Sequence, residues 1–296
     1  MKIVVTALLI FSASISALAQ PMVSSKAGTS TTKTDDVFAP ELGQHEILAG
    51  ALLPAGDIDS SFGKITISGY ALALGYAYGV SPVLAPFIQQ NYSRLESKSS
   101  FGSSTSLGFG DTKIGAKGIF DLQDKYLRYS VSYSSGLLDK SKSNSSPSES
   151  TQVSNRPSLS FLGGGGVTLQ NIGLGGSFEY KIFQDGDEEV VSAGVTTTRK
   201  HKAGTGNNFK LYAQLEMDFK VGFSYQENLV EGYDSSVGAT TTKEKKQEDK
   251  VYTIYSIIPV SSANDLILSI IKPEPKDSNG LTYNLYFLSA SLRSTF

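Results

Sequence analysis

The sequence of 296 residues contains no cysteine, no tryptophan and only two histidines. Without cysteine the chain can form no disulfide bond and can carry no lipid on an amino-terminal cysteine, as bacterial lipoproteins do. Because thiolates and imidazoles are the usual zinc ligands, a metal site of ordinary type is not expected. The histidines, His45 and His201, fall in a predicted strand and a predicted long loop, and the sequence predicts no catalytic residues and no cofactor.

Long apolar runs and a strong excess of charge are missing as well. A membrane-spanning helix needs about 20 consecutive apolar residues, whereas beyond residue 19 the longest apolar candidates are 257–260 and 266–271. The formal net charge is −2, and nucleic acid, which is bound through clustered lysine and arginine, is therefore not an expected partner. These absences disfavour a helical inner-membrane protein and a nucleic-acid-binding protein.

The first residues predict export. Met1 and Lys2 give a short basic start, an apolar run broken by Thr6 follows, and small residues end at Ala19. This pattern is typical of a secretory signal peptide, and we assign it to residues 1–19. Residues 20–42 are rich in serine, threonine and lysine, so we expect a flexible periplasmic lead-in.

From residue 43 to residue 296 the sequence shows strand-like alternation and almost no helical periodicity. In the second window, for example, Tyr70, Leu72 and Leu74 share one face while small residues occupy the other. The windows with this pattern are 44–53, 65–79, 82–96, 107–120, 126–137, 158–169, 173–183, 208–216, 219–226, 250–260, 265–272 and 283–296. Residues 190–198 could be another strand or the upper part of a long hairpin.

The connections between these windows alternate strictly between long and short. The long ones are 54–64, 97–106, 138–157, 184–207, 227–249 and 273–280, and the short ones are 80–81, 121–125, 170–172, 217–218 and 261–264. Bacterial outer-membrane barrels sort their connections in this way, whereas a soluble sandwich has no reason to do so. We therefore predict an all-β fold, a transmembrane antiparallel up-and-down β-barrel of about 12 strands, whose long loops are mobile and solvated.

The last stretch, 283–296, alternates apolar and polar residues and ends on Phe296. It resembles the carboxy-terminal strand signature of bacterial outer-membrane β-barrels. The resemblance implies that Phe296 is an assembly signal for the barrel-assembly machinery and that outer-membrane lipid surrounds the protein. A closed barrel also needs its last strand to pair with its first, because an open edge is not tolerated in lipid.

The same alternation places several charged residues on the face opposite the apolar one. Lysine or arginine facing lipid near the membrane midplane costs about 2–4 kcal/mol, so we expect these residues to line the lumen: Asp111, Lys113, Lys117, Arg128, Glu179, Lys181, Lys210 and Lys220. Two interpretations stay open. The charges pair with one another and plug the barrel, or they form a basic constriction that favours anionic or polar solutes.

Residues 108–117, with the sequence GFGDTKIGAK, are similar to a strand motif of the outer-membrane proteins grouped with the MetA pathway of phenol degradation. That group is treated as barrel channels for small, often hydrophobic or aromatic compounds. The resemblance implies passage of small molecules and does not identify the solute. We predict a narrow channel or transporter, and the alternative is a non-transporting barrel with a structural or surface-binding role.

An enzymatic role is the third candidate. Residues 277–280 faintly resemble the serine region of outer-membrane phospholipases, but Lys276 stands where that family has its histidine base. The simpler interpretation of Asn279-Gly280 is a hairpin turn. We therefore expect no enzymatic activity.

Overall fold

The structure is a computed structural model that describes residues 39–60, 63–100, 102–122, 124–136, 152–192, 195–243, 246–275 and 282–296. The predicted signal peptide, the lead-in up to residue 38 and the segment 277–280 lie outside the described residues. In the described residues we find no helix that is long and apolar enough to span a membrane.

The described residues form eighteen strands in two sheets. The strands are β1 His45–Ser60, β2 Gly63–Tyr78, β3 Ala85–Ser99, β4 Gly102–Phe109, β5 Thr112–Leu122, β6 Lys125–Ser135, β7 Gln152–Asn155, β8 Ser158–Leu169, β9 Ile172–Phe183, β10 Gly186–Ser192, β11 Val195–His201, β12 Gly204–Glu216, β13 Lys220–Val230, β14 Asp234–Val237, β15 Thr240–Lys243, β16 Gln247–Pro259, β17 Asn264–Pro275 and β18 Thr282–Thr295.

The larger sheet closes into an antiparallel barrel, as predicted. Its order is β2-β1-β18-β17-β16-β13-β12-β9-β8-β6-β5-β3-β4, and β2 also pairs with β3. Because β4 and β5 follow one another along the same neighbour, β3, they act as one strand of the wall, and the ring has twelve strands. At the seam between β1 and β18, His45 and Phe296 exchange two backbone hydrogen bonds of 2.8 and 3.1 Å. The predicted pairing of last and first strands is confirmed.

Side chains alternate between the outside and the lumen along the barrel strands. On β9, for example, Phe178 and Tyr180 are exposed on the outer face, whereas Ser177 and Glu179 are buried on the inner one. Residues one apart in a strand point to opposite faces, so the apolar residues form an outer band and the polar residues turn inward. The faces predicted from the sequence for this strand are those observed.

The GFGDTKIGAK motif contains a β-bulge. Tyr92 of β3 pairs with Phe109, but three residues earlier Gln89 pairs with Lys113, which lies four residues after Phe109. The extra residue falls at Gly110-Asp111, where the Gly110 N–H donates to Asn91 O over 2.9 Å. A bulge of this kind bends a strand and re-aims its side chains. It separates β4 from β5 and brings Lys113 to the inner face.

The two ends of the barrel differ. We call one end of the barrel the turn end, because it carries the short connections together with the seam residues His45 and Phe296. The opposite end is called the loop end. Two of the predicted loops, 54–64 and 97–106, are largely strand. β1 ends only at Ser60 and β2 begins at Gly63, while β3 ends at Ser99 and β4 begins at Gly102. Pro54 and Gly56 suggested a loop, but Ile58 beyond them is fully buried in the lumen, and this burial keeps the chain in the sheet.

The long connections were predicted to be mobile, and three of them instead contribute strands to a second sheet at the loop end. This five-stranded sheet has the order β15-β14-β11-β10-β7. Residues 190–198 belong to its β10–β11 hairpin, so the hairpin interpretation is the correct one. The strands are short and rich in serine and threonine, and no apolar alternation marks them in the sequence.

A compact joint connects the second sheet to the barrel. The guanidinium of Arg156 lies 4.7 Å from the ring centre of Phe183 and 4.0 Å from that of Tyr233, and Arg156 donates to the carbonyl of Lys202 over 2.6 Å. Asp185 accepts a hydrogen bond from the Ala203 N–H over 2.6 Å. This backbone hydrogen bond, together with the nearby Lys202 ammonium, lowers the pKa of Asp185 below its ordinary value.

Candidate functional site

The inner face of the barrel is the candidate site, and the predicted charged residues lie on five strands of one half of it, or at the bulge before β5. Lys113 and Lys117 lie on β5, Arg128 on β6, Glu179 and Lys181 on β9, Lys210 on β12 and Lys220 on β13, while Asp111 lies at the bulge before β5. We call β5, β6, β8, β9, β12 and β13 the polar wall. Glu179 and Arg128 are the most deeply buried of the set, with exposures of 2% and 8%.

Lys117 pairs with a residue that the sequence analysis missed. Its Nζ lies 2.6 Å from Oε2 of Glu46, and both side chains are largely buried. Glu46 is on β1, which is separated from β5 by β2 and β3 in the ring. Since an ion pair between strands three positions apart cannot lie flat along the wall, these side chains lean into the bore. Lys117 also lies 5.9 Å from the ring centre of Phe87.

A second ion-pair cluster connects β5 to β9. Oε1 of Glu179 is 4.0 Å from Nζ of Lys113, and Oε2 of the same carboxylate is 3.3 Å from Nζ of Lys181. The strands β6 and β8 lie between β5 and β9 in the ring. Lys113 and Lys117 both lie on β5. The two clusters therefore meet at β5.

Together the two clusters bring three ammonium groups and two carboxylates into the bore. In a ring of twelve strands β1 and β9 lie opposite one another, with β5 midway between them. The ion pairs thus follow half of the circumference with side chains that lean inward. They begin with Glu46–Lys117 and continue with Lys113–Glu179–Lys181, and we call them the ion-pair chain. Among these five groups the basic charge exceeds the acidic charge by one. These five groups together carry net positive charge.

The other predicted charges occupy separate positions. Lys220 pairs with Glu216 over 3.7 Å at the turn end. Arg128 lies against the backbone of β8, where a side chain on Gly164 would come within 2.9 Å of Arg128 Nε. Lys210 projects from the inner face of β12, between the outward Phe209 and Leu211. Arg128 and Lys210 add further basic charge to the polar wall.

The opposite half of the lumen is apolar towards the loop end. Its six strands, β16, β17, β18, β1, β2 and β3, are contiguous in the ring, and we call them the apolar wall. They supply one buried cluster: Leu52, Ile58, Ile65, Ile67, Ala71, Leu95, Val251, Ile271, Leu285 and Phe287. Ile58 and Phe287 have no exposed surface at all, so side chains fill this part of the bore.

Glycines make room for inward tyrosines. A Cβ on Gly166 would lie 2.5 Å from Tyr126 Oη, a Cβ on Gly175 would lie 2.1 Å from Tyr212 Oη, and one on Gly222 would lie 2.2 Å from Tyr255 Oη. Each tyrosine is almost fully buried. The glycine-rich run 163–166 therefore leaves space for an aromatic ring.

Both histidines lie against aromatic residues. His45 Nδ1 is 2.7 Å from Tyr76 Oη, and its ring stacks on Phe296 at 5.3 Å. His201 packs edge-on against Tyr233 in the second sheet, with ring centres 5.5 Å apart. Within the described ranges no group of three or more metal-ligating side chains could hold an ion.

The sequence analysis did not identify Glu46, the acidic partner of Lys117 on β1. The signal for Glu46 was present, because it has the same parity as the inward Leu48 and Leu52 on β1. Alternation says that such a residue faces inward. It cannot say which strand its side chain reaches across the bore.

Comparisons with known proteins agree on the fold. No family model and no curated protein sequence matches the chain. Among solved structures it is similar to an outer-membrane channel from Pseudomonas putida F1, with a TM-score of 0.65 and 11% identity over 90% of this chain and 100% of that one. It is also similar to the translocator domain of the autotransporter NalP from Neisseria meningitidis, with a TM-score of 0.55 and 10% identity over 88% and 90%.

A mutant of the TodX monoaromatic hydrocarbon channel gives a TM-score of 0.50 and 10% identity over 87% of this chain and 91% of that one. At these identities the likeness concerns the fold. The fold is that of the bacterial outer-membrane β-barrels, as the sequence predicted.

Proposed function

We propose that this protein is a narrow outer-membrane channel for small molecules, with its turn end in the periplasm and its loop end outside the cell. The closed barrel and its outer apolar band support the membrane location, because lipid accepts only structures without free edges. Two of the similar structures are channels by their own descriptions. A ring of twelve strands is wider than the side-chain-filled barrels of about eight strands and narrower than the open porins.

The observation that carries the proposal is the ion-pair chain on the polar wall. Its side chains reach into the bore without packing into an apolar cluster, and Lys113 and Lys181 keep about a fifth of their surface exposed. Rings of lysine or arginine select for anions in known pores. We propose that Lys113, Lys117 and Lys181 form a basic constriction that favours small anionic or polar solutes.

Glu179 sets the strength of this selection. It lies between two ammonium groups and neutralises part of their charge, so the constriction attracts an anion without binding it so tightly that passage stops. A conducting site must be favourable enough to enter and weak enough to leave. Removing the carboxylate and removing one ammonium group should therefore shift ion preference in opposite directions.

The test is the reversal potential of the protein in planar bilayers under a salt gradient. We expect Lys181→Gln to move the preference towards cations and Glu179→Gln to move it towards anions. Lys64→Gln is the control, because Lys64 lies beside the β1–β2 tip with 61% of its side chain exposed. Each variant is first checked for folding by its unboiled and boiled mobility on a detergent gel, since a closed barrel resists detergent until it is heated.

Opposite shifts in the two lumen variants, with the control unchanged, support the constriction. Equal reversal potentials in all three folded variants would mean that Lys113, Glu179 and Lys181 do not line a conducting path. Complete silence of the unchanged protein would favour the alternative, a non-transporting barrel whose loop-end sheet binds an external partner. Two observations favour that alternative: side chains fill the apolar wall, and the second sheet is ordered.

A further inference from the structure

The residues just before β1 dock at the turn end of the barrel. We call residues 39–44 the strap. Its turn is fixed by Gly43, whose φ of 79° favours glycine, and by two hydrogen bonds between Glu41 and Gln44 of 2.9 and 3.1 Å. A further bond of 2.8 Å, from the Gly43 N–H to the Gly79 carbonyl, ties the strap to the end of β2.

The beginning of the strap is buried although it precedes the first strand. Pro40 is among the fully buried side chains of the protein, whereas Leu42, two residues later, is 64% exposed. Ala39 packs against Ile119, Tyr126 and Tyr212. Flexible lead-in segments are normally solvated, so the burial of Ala39 and Pro40 marks a specific docking contact.

The position of these partners defines the path of the strap. Ile119, Tyr126 and Tyr212 project inward from β5, β6 and β12, which belong to the polar wall, whereas the strap joins the barrel at β1 on the apolar wall. The carbonyls of Pro40 and Glu41 lie against Gly79 at the end of β2, so residues 40–44 follow the rim from β2 to β1, and Ala39 is where the strap meets side chains from the opposite strands. Ile119 is two residues from Lys117 along β5, so the strap lies directly on the turn side of the ion-pair chain.

The backbone of β2 is shaped to receive the strap. A Cβ on Gly79 would lie 1.9 Å from the carbonyl oxygen of Glu41 and 2.7 Å from that of Pro40. Only glycine therefore allows the strap to approach this closely. On the same strand, Gly75 has its nearest neighbour at an ordinary 3.7 Å.

We propose that the strap is a gate that closes the periplasmic mouth of the channel and must undock for a solute to pass. This proposal rests on the proposed function, because a gate has a role only where the lumen conducts. The contact area is small, consisting of one proline, one alanine and three partners, so the docked and undocked states can lie close in free energy. Segments with few buried apolar contacts open at low cost in free energy.

The first experiment measures docking without any current. The chain has no cysteine, so Pro40→Cys and Leu42→Cys each create a single thiol in the folded protein. We expect a water-soluble maleimide to label Pro40→Cys much more slowly than the exposed Leu42→Cys. Adding Gly79→Ala or Ala39→Asp should accelerate the labelling of Pro40→Cys, because the first pushes on Glu41 and the second places a charge against Ile119 and the two tyrosines. Adding Gly75→Ala should not.

The second experiment records single-channel currents of the full chain in planar bilayers. We expect Gly79→Ala and Ala39→Asp to raise the unitary conductance or the fraction of time open, with Gly75→Ala equal to the unchanged protein. Detergent-gel mobility confirms that each variant has folded.

Equal labelling of Pro40→Cys and Leu42→Cys would show that the strap is not docked, and the gate would be wrong. Labelling that neither displacing variant accelerates would make the strap a fixed floor, which also overturns the gate. Accelerated labelling with unchanged currents removes the gate but leaves the channel intact. Absence of current in the unchanged protein and in both displacing variants removes the channel and the gate together.

Discussion

The two walls of the lumen differ towards the loop end. On the apolar wall, ten inward residues from six neighbouring strands form one buried cluster towards the loop end. On the polar wall, inward lysines pair with Glu179 of the same wall and with Glu46 of β1 over distances of 2.6 to 4.0 Å, and the lysines are partly exposed while both glutamates are buried. Both walls have the same apolar outer face, so the difference lies entirely in what the inner face does.

The difference separates stability from passage. Buried apolar side chains contribute free energy in proportion to the surface that they remove from water, and the apolar wall does this within the bore, where lipid cannot reach. Ion pairs contribute little net stability, since the cost of removing charges from water offsets their attraction. The polar wall is therefore the half of the lumen in which side chains are placed for something other than stability.

The largest effect is expected from a cavity in the apolar wall. Phe287→Ala removes a ring with no exposed surface, and such a change costs about 3–5 kcal/mol because a cavity remains. Phe178→Ala on the outer face of β9 should cost less, about 1.5–3 kcal/mol, because lipid tails fill the space of a ring that is 50% exposed. The measurement is the free energy of unfolding in urea with the protein in lipid vesicles.

Equal losses for the two phenylalanines would break the comparison between the walls. They would show that the apolar cluster is loosely packed or that its cavity is filled from the bore. The same vesicles can be assayed for folding by gel mobility before urea is added, so that an assembly defect is not mistaken for low stability.

Local alternation was enough to predict the barrel. Ser158–Leu169 has the bounds predicted for it, and the number of strands in the wall is confirmed. These successes share one cause. The side-chain period of a strand is two residues, and one face must meet lipid, so the sequence itself records which face is which.

Contacts across the bore could not be predicted in this way. Lys117 and Glu46 are 71 residues apart, and their meeting depends on strand tilt and register, which alternation does not encode. The second sheet was missed because β14 and β15 are short and polar. The docking of Ala39 and Pro40 was missed because a proline after a Ser/Thr-rich stretch looks like a linker.

A smaller effect is expected where the two walls meet. Gly222 on β13 faces Tyr255 on β16, and a Cβ there would lie 2.2 Å from the ring atom Cζ. Tyr255 is 1% exposed and donates to Gln214 Oε1 over 3.2 Å, so the ring cannot move without losing that bond. Gly222→Ala should therefore cost about 1–3 kcal/mol through overpacking, measured by the same urea unfolding.

Gly163→Ala is the matched control for this variant. Gly163 lies on β8, and no atom would come within 4 Å of an added Cβ. We expect no loss of stability there, because a methyl group has room and alanine restricts the unfolded chain more than glycine does. A comparable loss at both positions would mean that glycine is needed for strand bending and not for seating Tyr255.

The smallest effect on stability is expected from Phe296→Ala at the seam between β1 and β18. The same substitution should have a larger effect on biogenesis. Phe296 is 66% exposed, and its ring stacks on His45 at 5.3 Å. Phe219, at the turn end of the polar wall, is a comparable exposed aromatic residue. Losing the stacked pair should lower the free energy of unfolding by about 0.5–1.5 kcal/mol, so Phe296→Ala should refold in vitro with nearly normal yield.

In cells the two variants should differ. If the terminal aromatic residue is the signal that the barrel-assembly machinery reads, Phe296→Ala lowers the amount of protein in the outer membrane while Phe219→Ala leaves it unchanged. Quantitative immunoblots of outer-membrane fractions, taken with the in vitro yields, separate recognition from stability. Normal outer-membrane levels of Phe296→Ala would remove the assembly role. A parallel loss in both variants would assign that role to aromatic residues at the barrel rim in general, because both rings are exposed and only Phe296 lies at the chain terminus.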